Sequence, residues 1–179
     1  MPSPLVQDYF QLFGLPESYE VDTAILMQRY RELQHSTHPD RFASASEQEQ
    51  RLSVQLAAHI NEAYQTLKHP LHRARYLLEQ RGIDPVRQAP ALDSDFLMEQ
   101  MELRERIDSL GNQTDGLTAL IDVRDGLVNR LRDLQQQFAR LISSHDSEET
   151  GLAHADFNKM QFLYRLLDEI DVLEEQMLE

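Results

Sequence analysis

Residues 23–40 read TAILMQRYRELQHSTHPD, a helical pattern that stops at the tripeptide His38-Pro39-Asp40. Asp22 precedes this stretch as a candidate N-cap. The apolar residues of the helix fall near one face: Ile25, Leu26, Tyr30 and Leu33. Pro39 fixes its own φ and pushes His38 out of the α region, so the tripeptide forms a rigid turn. It has no nucleophile, which favours a segment held by another protein over a catalytic one. The alternative is a simple helix terminator.

The segments on either side of this turn are also helical in pattern. A short apolar-aromatic helix over residues 8–13 precedes it and stops at Gly14. A small polar loop follows the turn, and a third helix then runs to about Leu67. The apolar spine of that helix is Leu52, Leu56, Ile60, Ala63, Tyr64 and Leu67. Two helices around a polar loop predict an antiparallel hairpin, and a short helix over residues 71–80 completes this part of the chain.

Residues 82–92, GIDPVRQAPAL, read as a linker that two prolines make semi-rigid. Three longer helical stretches follow, at about residues 95–110, 117–142 and 155–178, with Ser143 to Gly151 as a turn. Short turns between them predict an antiparallel three-helix bundle. The sequence therefore predicts an all-α chain with domains at 1–81 and 93–179, joined by the linker at 82–92.

The composition excludes several classes of protein. The 179 residues include no Cys, which rules out disulfides and thiol catalysis and fits a reducing compartment. No apolar run approaches the ~18–20 residues of a membrane span. The N-terminal residues MPSPLVQDYF have neither the basic region nor the apolar core of an export signal. The net charge of −14 argues against general nucleic-acid binding, which needs clustered Lys and Arg.

The charge is unevenly distributed along the chain. Residues 1–76 hold 7 basic and 9 acidic residues, whereas residues 77–179 hold 10 and 22. Arg29 and Arg31 precede the His-Pro-Asp turn and Arg41 follows it. These three residues predict a local cationic patch suited to an acidic partner surface. The alternative is an ordinary solvated helix face.

The residue pattern offers no catalytic or metal site. His35 and His38 are spaced i, i+3, but Pro39 ends the helix there and no carboxylate cluster converges on them. Glu32 and His35 form one Glu-x-x-His motif, whereas a di-iron bundle needs two such motifs and two further Glu. A Gly-rich phosphate loop and a nucleophile elbow are both missing from the sequence. We therefore expect a protein that is not an enzyme, with no catalytic residue, metal or cofactor.

The stretch from Phe96 to Ile107 has two apolar faces when drawn as a helix at ~100° per residue. With Leu97 at zero, one stripe lies between about 220° and 280° and contains Phe96, Leu103, Ile107 and Leu110. The other, the outer stripe, lies between about 0° and 100° and contains Leu97, Met98 and Met101. A bundle helix needs only one buried stripe, so we expect the outer stripe to be exposed and to bind a protein. The alternative is that the first domain packs on it.

Phe162 lies away from most of the apolar stripe of the last predicted helix. That stripe contains Met160, Leu163, Tyr164, Leu167 and Ile170. Phe162 is roughly 100° or more from most of these positions. It either extends the exposed surface or covers an edge of the bundle.

Four ordered segments resemble the HscB family of J-domain co-chaperones for iron–sulfur cluster assembly. They are DYFQLFGLP at 8–16, HPDRFAS at 38–44, INEAYQTLKHPLHRARYLL at 60–78 and FLMEQMELRE at 96–105. The resemblance covers nearly the whole chain. It implies that the N-terminal hairpin is a J domain and that the C-terminal bundle binds a client.

The resemblance also implies two partners and the residues that contact them. A DnaK-like ATPase chaperone of the HscA type is expected to bind His38, Pro39 and Asp40, supported by Arg29, Arg31 and Arg41. The iron–sulfur scaffold protein IscU is expected to bind Leu97, Met98, Met101, Glu102, Glu105 and Phe162. The alternative function is a general J-domain chaperone that holds unfolded clients.

Three features differ from those of known relatives. Thr37 stands where J domains usually carry an aromatic, which removes ring packing beside the tripeptide. Arg41 stands where Lys is usual and keeps the charge but not the geometry. The Cys-rich zinc segment of mitochondrial relatives is absent, which favours a bacterial, cytoplasmic member.

Overall fold

The structure, a computed structural model, describes residues 7–38, 45–88, 94–111, 113 and 116–178. These residues form seven α-helices and no strand, so the predicted fold class is confirmed. The helices are α1 (Tyr9–Leu12), α2 (Thr23–Thr37), α3 (Glu47–Lys68), α4 (Pro70–Gln80), α5 (Ser94–Gly111), α6 (Gly116–Ser143) and α7 (Ser147–Leu178). The chain divides into two compact units, Met1–Leu77 and Leu78–Glu179.

The first unit contains the predicted helical hairpin of α2 and α3, which pack against each other. Asp22 begins α2, and its Oδ1 accepts hydrogen bonds from the backbone N–H groups of Ala24 and Ile25 at 2.9 and 3.1 Å. Ser46 begins α3 in a reciprocal capping box with Glu49. The apolar contact between the two helices is built from Leu26, Ile60, Ala63, Tyr64 and Leu67, all buried. Tyr30 stacks on Tyr64 with ring centroids 4.0 Å apart.

The predicted apolar faces of this hairpin were wrong at two positions. Ile25 and Leu52 are 46% and 49% exposed, although Ile25 was assigned to the apolar face of α2 and Leu52 to the apolar spine of α3. Ser53 is buried instead, and its hydroxyl donates to the Gln50 carbonyl oxygen at 2.8 Å. The face of α3 that turns inward near its N-terminus therefore lies one residue, or about 100°, away from Leu52. Small Ser53 satisfies its own polar group there, so a larger apolar residue is not needed.

Aromatic residues connect α1 to the rest of the first unit. Phe10 and Phe13 are buried, and Tyr9 stacks on Tyr76 with ring centroids 4.4 Å apart. The backbone N–H of Tyr9 also donates to the Tyr76 hydroxyl at 3.0 Å. Gly14 ends α1 with a φ of 60°, a conformation that disfavours residues with a Cβ. These contacts hold α1 against α4, and Tyr9 also packs edge-on against His59 of α3.

The second unit is a three-helix bundle in which α5 packs on both α6 and α7. Polar cross-contacts join the three helices. Arg124 pairs with Glu174 at 2.6 Å, and Gln135 donates to the Tyr164 hydroxyl at 3.0 Å, so α6 and α7 are antiparallel. Arg104 of α5 pairs with Glu169 of α7 at 3.0 Å. The buried apolar residues are Phe96, Ile107, Leu120, Val123, Leu127, Leu131, Phe138, Ile142, Ala153, Phe157, Met160, Phe162, Leu163, Leu166 and Ile170.

The predicted start of the last helix was wrong. The sequence pattern predicted a turn from Ser143 to Gly151 and a helix from about residue 155, whereas α7 begins at Ser147. Asp146 precedes it, and its Oδ1 accepts from the backbone N–H groups of Glu148 and Glu149 at 2.8 and 3.1 Å. This side-chain cap satisfies donors that a helix start leaves unpaired. The sequence signal was present, because Asp followed three residues later by Glu is typical of a helix start.

The predicted linker contacts the bundle at Pro85, whose backbone hydrogen-bonds with His154, and Arg81 just before the linker contacts it as well. Arg81 donates to the carbonyl oxygen of Ile142 at 3.4 Å, and Asp84 Oδ1 accepts from the backbone N–H groups of Val86 and Arg87. Gly82 has a φ of 79°, the left-handed conformation that glycine commonly adopts after a helix end. The two units divide between Leu77 and Leu78, four residues before the predicted end of the first domain. The domain limits 1–81 and 93–179 stay predictions.

Candidate protein-binding surfaces

The end of α2 presents a small groove beside His38. His38 leaves the helix with φ −56° and ψ 129°, the extended conformation expected of a residue before proline. Its side chain lines the groove together with Arg31, Gln34 and His35. Pro39, Asp40 and Arg41, which the sequence analysis assigned to the same surface, lie outside the described residues.

Thr37 closes the last turn of α2 by a different contact from the ring packing that it replaces. It is buried, and its hydroxyl donates to the Leu33 carbonyl oxygen at 2.7 Å. A buried hydroxyl that keeps a hydrogen bond avoids the penalty of an unsatisfied polar group. The helix end that presents His38 is therefore internally satisfied.

Arg29 and Arg31 are both exposed, but they lie on different sides of α2. Two residues along a helix are separated by about 200°, so the two guanidinium groups diverge. Arg31 lines the groove beside His38, whereas Arg29 pairs with Glu32 at 3.4 Å, with both of those side chains about half exposed. Gln34 and His35 line the groove with Arg31, but neither was among the residues predicted for this surface. Their spacing of i+3 and i+4 from Arg31 was the signal that could have found them.

The outer stripe of α5 is exposed, as the helical-wheel argument predicted. Leu97, Met98 and Met101 are 45%, 60% and 66% exposed. On the opposite side of the same helix, Phe96 and Ile107 are buried in the bundle. Exposed large apolar side chains that lie together on one helix face are typical of a surface that binds another protein.

A groove of about 520 Å³, which we call the near groove, runs beside the outer stripe. Its lining residues are Leu97, Gln100, Met101, Arg104, Glu105, Asp108 and Phe162. Phe162 is only 7% exposed and packs edge-on against Phe96, with ring centroids 5.7 Å apart and an interplanar angle of 84°. Phe162 therefore packs at the edge of the bundle and also lines the groove. The sequence had left these two positions as alternatives, and the structure combines them.

The structure separates the predicted scaffold-binding residues into two groups. Leu97, Met101, Glu105 and Phe162 line the near groove. Met98 and Glu102 are exposed on α5 but do not line it. Three lining residues were not among the predicted scaffold contacts: Gln100, Arg104 and Asp108. All three follow Leu97 or Met101 at helical spacing, so the same wheel could have identified them.

An ion pair fixes the start of α5 next to this surface. Arg130 of α6 donates from both terminal nitrogens to the two carboxylate oxygens of Glu99. This hydrogen bonding lowers the pKa of Glu99 below its usual 4.5, because the charged carboxylate is the better acceptor. A bidentate pair also restricts rotation of both side chains. The pair therefore fixes the start of α5 against α6, and the neighbouring residues of the outer stripe are held in place with it.

Two further observations concern the described residues only. In these segments no three His, Asp or Glu side chains come together as metal ligands. None of the helices is both long enough and apolar enough to cross a membrane.

Comparison with known proteins gives a consistent assignment. Residues 92–171 match the family described as the HSCB C-terminal oligomerisation domain. The co-chaperone protein HscB homolog of Colwellia psychrerythraea is 42% identical over 171 residues, covering 95% of this chain and 98% of that protein. The homolog of Shewanella baltica strain OS195 is 37% identical over 173 residues, with coverages of 96% and 99%. The chain belongs to the HscB co-chaperone family.

Solved structures of HscB proteins have the same fold. The chaperone HscB from Vibrio cholerae superposes with a TM-score of 0.83 at 39% identity, covering 96% of this chain and 99% of that one. The human co-chaperone protein HscB gives a TM-score of 0.81 at 30% identity, with coverages of 96% and 83%. The predicted layout of a J-domain hairpin followed by a three-helix bundle is the HscB layout, and the resemblance drawn from four sequence segments is confirmed.

Proposed function

We propose that this HscB-family co-chaperone couples two proteins of iron–sulfur cluster assembly. It stimulates the ATPase of a DnaK-like chaperone of the HscA type, and it delivers the scaffold protein IscU to that chaperone. The observation that carries the proposal is the exposed outer stripe of α5 beside a groove lined by Phe162, in a chain whose α2 stops at His-Pro-Asp. A bundle has no structural need for such a second apolar stripe.

The chaperone contacts of the proposal lie at the end of α2. His38, Pro39 and Asp40 form the docking turn, and Arg29, Arg31 and Arg41 supply the positive charge. Arg31 is supported most directly, because it lines one groove with His38. The exposed pair of Arg29 with Glu32 contributes little in solution, so an acidic partner can compete for that arginine.

The scaffold contacts of the proposal lie on α5 and α7. Leu97, Met98 and Met101 supply exposed apolar area, and Phe162 supplies the floor of the near groove. Glu102 and Glu105 add a polar rim of the kind that surrounds interface cores. Methionine suits the role, since its flexible and polarizable side chain adapts to a partner surface.

The protein acts as an adaptor and not as an enzyme in this proposal. It favours the hydrolysis-competent state of the chaperone by binding that state better. By holding the client on the same chain, it raises the local client concentration at the chaperone. It needs no cofactor for either action, and we place it in the bacterial cytoplasm.

The ATPase rate of a purified HscA-type chaperone tests the docking turn. Adding the wild-type protein should raise the rate, and Asp40→Asn should abolish the increase while scaffold binding persists. Asp22→Asn is a matched control, because it makes the same chemical change at the N-cap of α2, the helix that precedes the docking turn. The Asp22→Asn variant should stimulate the ATPase as wild type does. Retained stimulation by Asp40→Asn would refute the docking role.

The alternative function, a general chaperone for unfolded clients, is tested by competition. Immobilised protein is offered folded IscU-type scaffold and a denatured model client at equal concentration. The proposal requires a preference for the folded scaffold that is lost on Leu97→Ala/Met101→Ala. Preference for the denatured client would favour the general chaperone.

A further inference from the structure

The surface between α5 and α7 continues beyond the outer stripe. Phe96 meets Phe162, Arg104 pairs with Glu169, and a Cβ on Gly111 would lie 3.1 Å from Leu173 Cδ2. Residue numbers increase along both helices through these three contacts, so α5 and α7 run parallel. From Phe162 to Leu173 the contact extends for about 16 Å, at ~1.5 Å per residue. We call this line of contact between α5 and α7 the seam.

A second groove, which we call the far groove, lies on this seam. It has a volume of about 450 Å³ and is lined by Asp108, Asp168, Glu169, Val172, Leu173 and Gln176. Asp108 lines both grooves, so the two are adjacent. The exposed ion pair of Arg104 with Glu169 spans the seam between them. Such an exposed pair is weak, so a bound partner can rearrange it.

The chemistry of the far groove differs from that of the near groove. Among the described residues, its lining has three carboxylates and no basic side chain, and one of the three, Glu169, is paired with Arg104 of the near groove. Val172 is 54% exposed among these carboxylates. An aliphatic floor with an acidic rim is complementary to Lys or Arg, whose methylene stems cover apolar surface while the cation meets a carboxylate.

We propose that the far groove is the second half of the client-binding surface. It takes a basic segment of the same protein that occupies the near groove, with Asp108 and Asp168 facing its Lys or Arg and Val172 contacting the aliphatic stem. This inference rests on the proposed function, because it assumes a protein client on the outer stripe. It assigns the client a basic segment about 10–17 Å beyond its apolar contacts, from the spacing of Met101 and Leu97 to Asp108 on α5 at ~1.5 Å per residue.

Binding of purified IscU-type scaffold to full-length variants tests the inference by calorimetry. Asp108→Asn/Asp168→Asn should raise Kd about tenfold at low salt, since it removes charge that faces the client. The difference should shrink at high ionic strength, where charges are screened over a few ångströms. The matched control is Asp122→Asn/Asp133→Asn, which neutralises two exposed carboxylates of α6 and should leave Kd near the wild-type value.

The outcomes separate failure of the extension from failure of the proposed function. If Leu97→Ala/Met101→Ala weakens binding but the Asp108/Asp168 and Asp122/Asp133 pairs behave alike, the far groove is not part of the interface. If wild type does not bind the scaffold, or Leu97→Ala/Met101→Ala has no effect, the proposed function itself is wrong. Circular dichroism checks that each variant keeps its helix content, which is expected because all four aspartates are exposed.

Discussion

Two ionisable side chains of α7 lie inside the bundle without full hydrogen bonding. Asp156 and His154 are 3% and 5% exposed, and one polar atom of each, Asp156 Oδ2 and His154 Nε2, has no partner. Burial raises the pKa of Asp156 above its ordinary 3.8, and Lys159 at 3.9 Å opposes the shift. Burial lowers the pKa of His154 below 6.5, and a backbone hydrogen bond with Pro85 opposes that shift. In both cases burial penalises the charged form.

Asp156 should make the bundle less stable as pH rises. Because its folded pKa lies above the unfolded value of 3.8, the folded state holds the proton more tightly, and stability is lost as pH rises through the folded pKa. Asp156→Asn removes that loss. Its free energy of unfolding should therefore exceed that of wild type at pH 7, and the advantage should shrink on going to pH 4.

Thermal and urea unfolding across this pH range measure the effect. Asp171→Asn is a suitable control, because Asp171 is an exposed carboxylate of the same helix and its removal should change stability little at any pH. His154 contributes in the opposite sense: its share of stability is present above 6.5 and is lost as pH falls below that value. A variant Asp156→Asn that is less stable than wild type at pH 7 would show that the carboxylate makes a favourable buried contact.

At the scale of the helix, neighbouring residues of α5 have opposite environments. Phe96 is buried against Phe162 while Leu97 is exposed, and the sequence predicted this because the two residues lie about 100° apart on a helix. The burial of Phe162 was not predictable from the period of α7, since the ring that covers it belongs to α5. Packing between helices decides whether such a residue is buried, and the helical wheel of one helix does not show that packing.

The first turns of α7 show why its start was missed. Thr150, His154 and Asp156 are buried there, whereas Leu152 is exposed. This order inverts the usual relation between polarity and burial, so apolar periodicity becomes clear only from Phe157 onward. The helix is instead begun by the Asp146 cap and continued by tertiary packing. Capping residues were the more reliable signal for this boundary.

Alanine variants of α5 should separate binding from stability. Leu97→Ala and Met101→Ala should each weaken scaffold binding by about 1–2 kcal/mol where the side chain is a hot spot, with little change in Tm. Phe96→Ala should cost about 3–5 kcal/mol of folding free energy, because it leaves a cavity beside Phe162. Calorimetric binding and thermal unfolding, measured on the same samples, provide the comparison. An equal loss of Tm in all three variants would show that the outer stripe is part of the core.

At the scale of the molecule, the two candidate surfaces belong to different compact units. His38 lies in the first unit, and the outer stripe lies in the second. Charge follows the same division, because most of the net charge of −14 comes from residues after 76. Motif order along the chain was sufficient to predict both units. Arg31 and His35 share a groove on one helix, which helical spacing could have predicted, whereas Asp108 and Val172 meet only through packing between α5 and α7.

An adaptor must carry both surfaces on one chain, and a mixture of two full-length variants tests this requirement. Asp40→Asn keeps the scaffold surface, and Leu97→Ala/Met101→Ala keeps the chaperone surface. Each variant alone should fail to give the full stimulation that chaperone ATPase shows with wild type and scaffold together. Mixing them should not restore it at concentrations below the scaffold Kd, because no single chain then raises the local client concentration. Wild-type rates in the mixture would mean that the two surfaces act independently and that tethering contributes nothing.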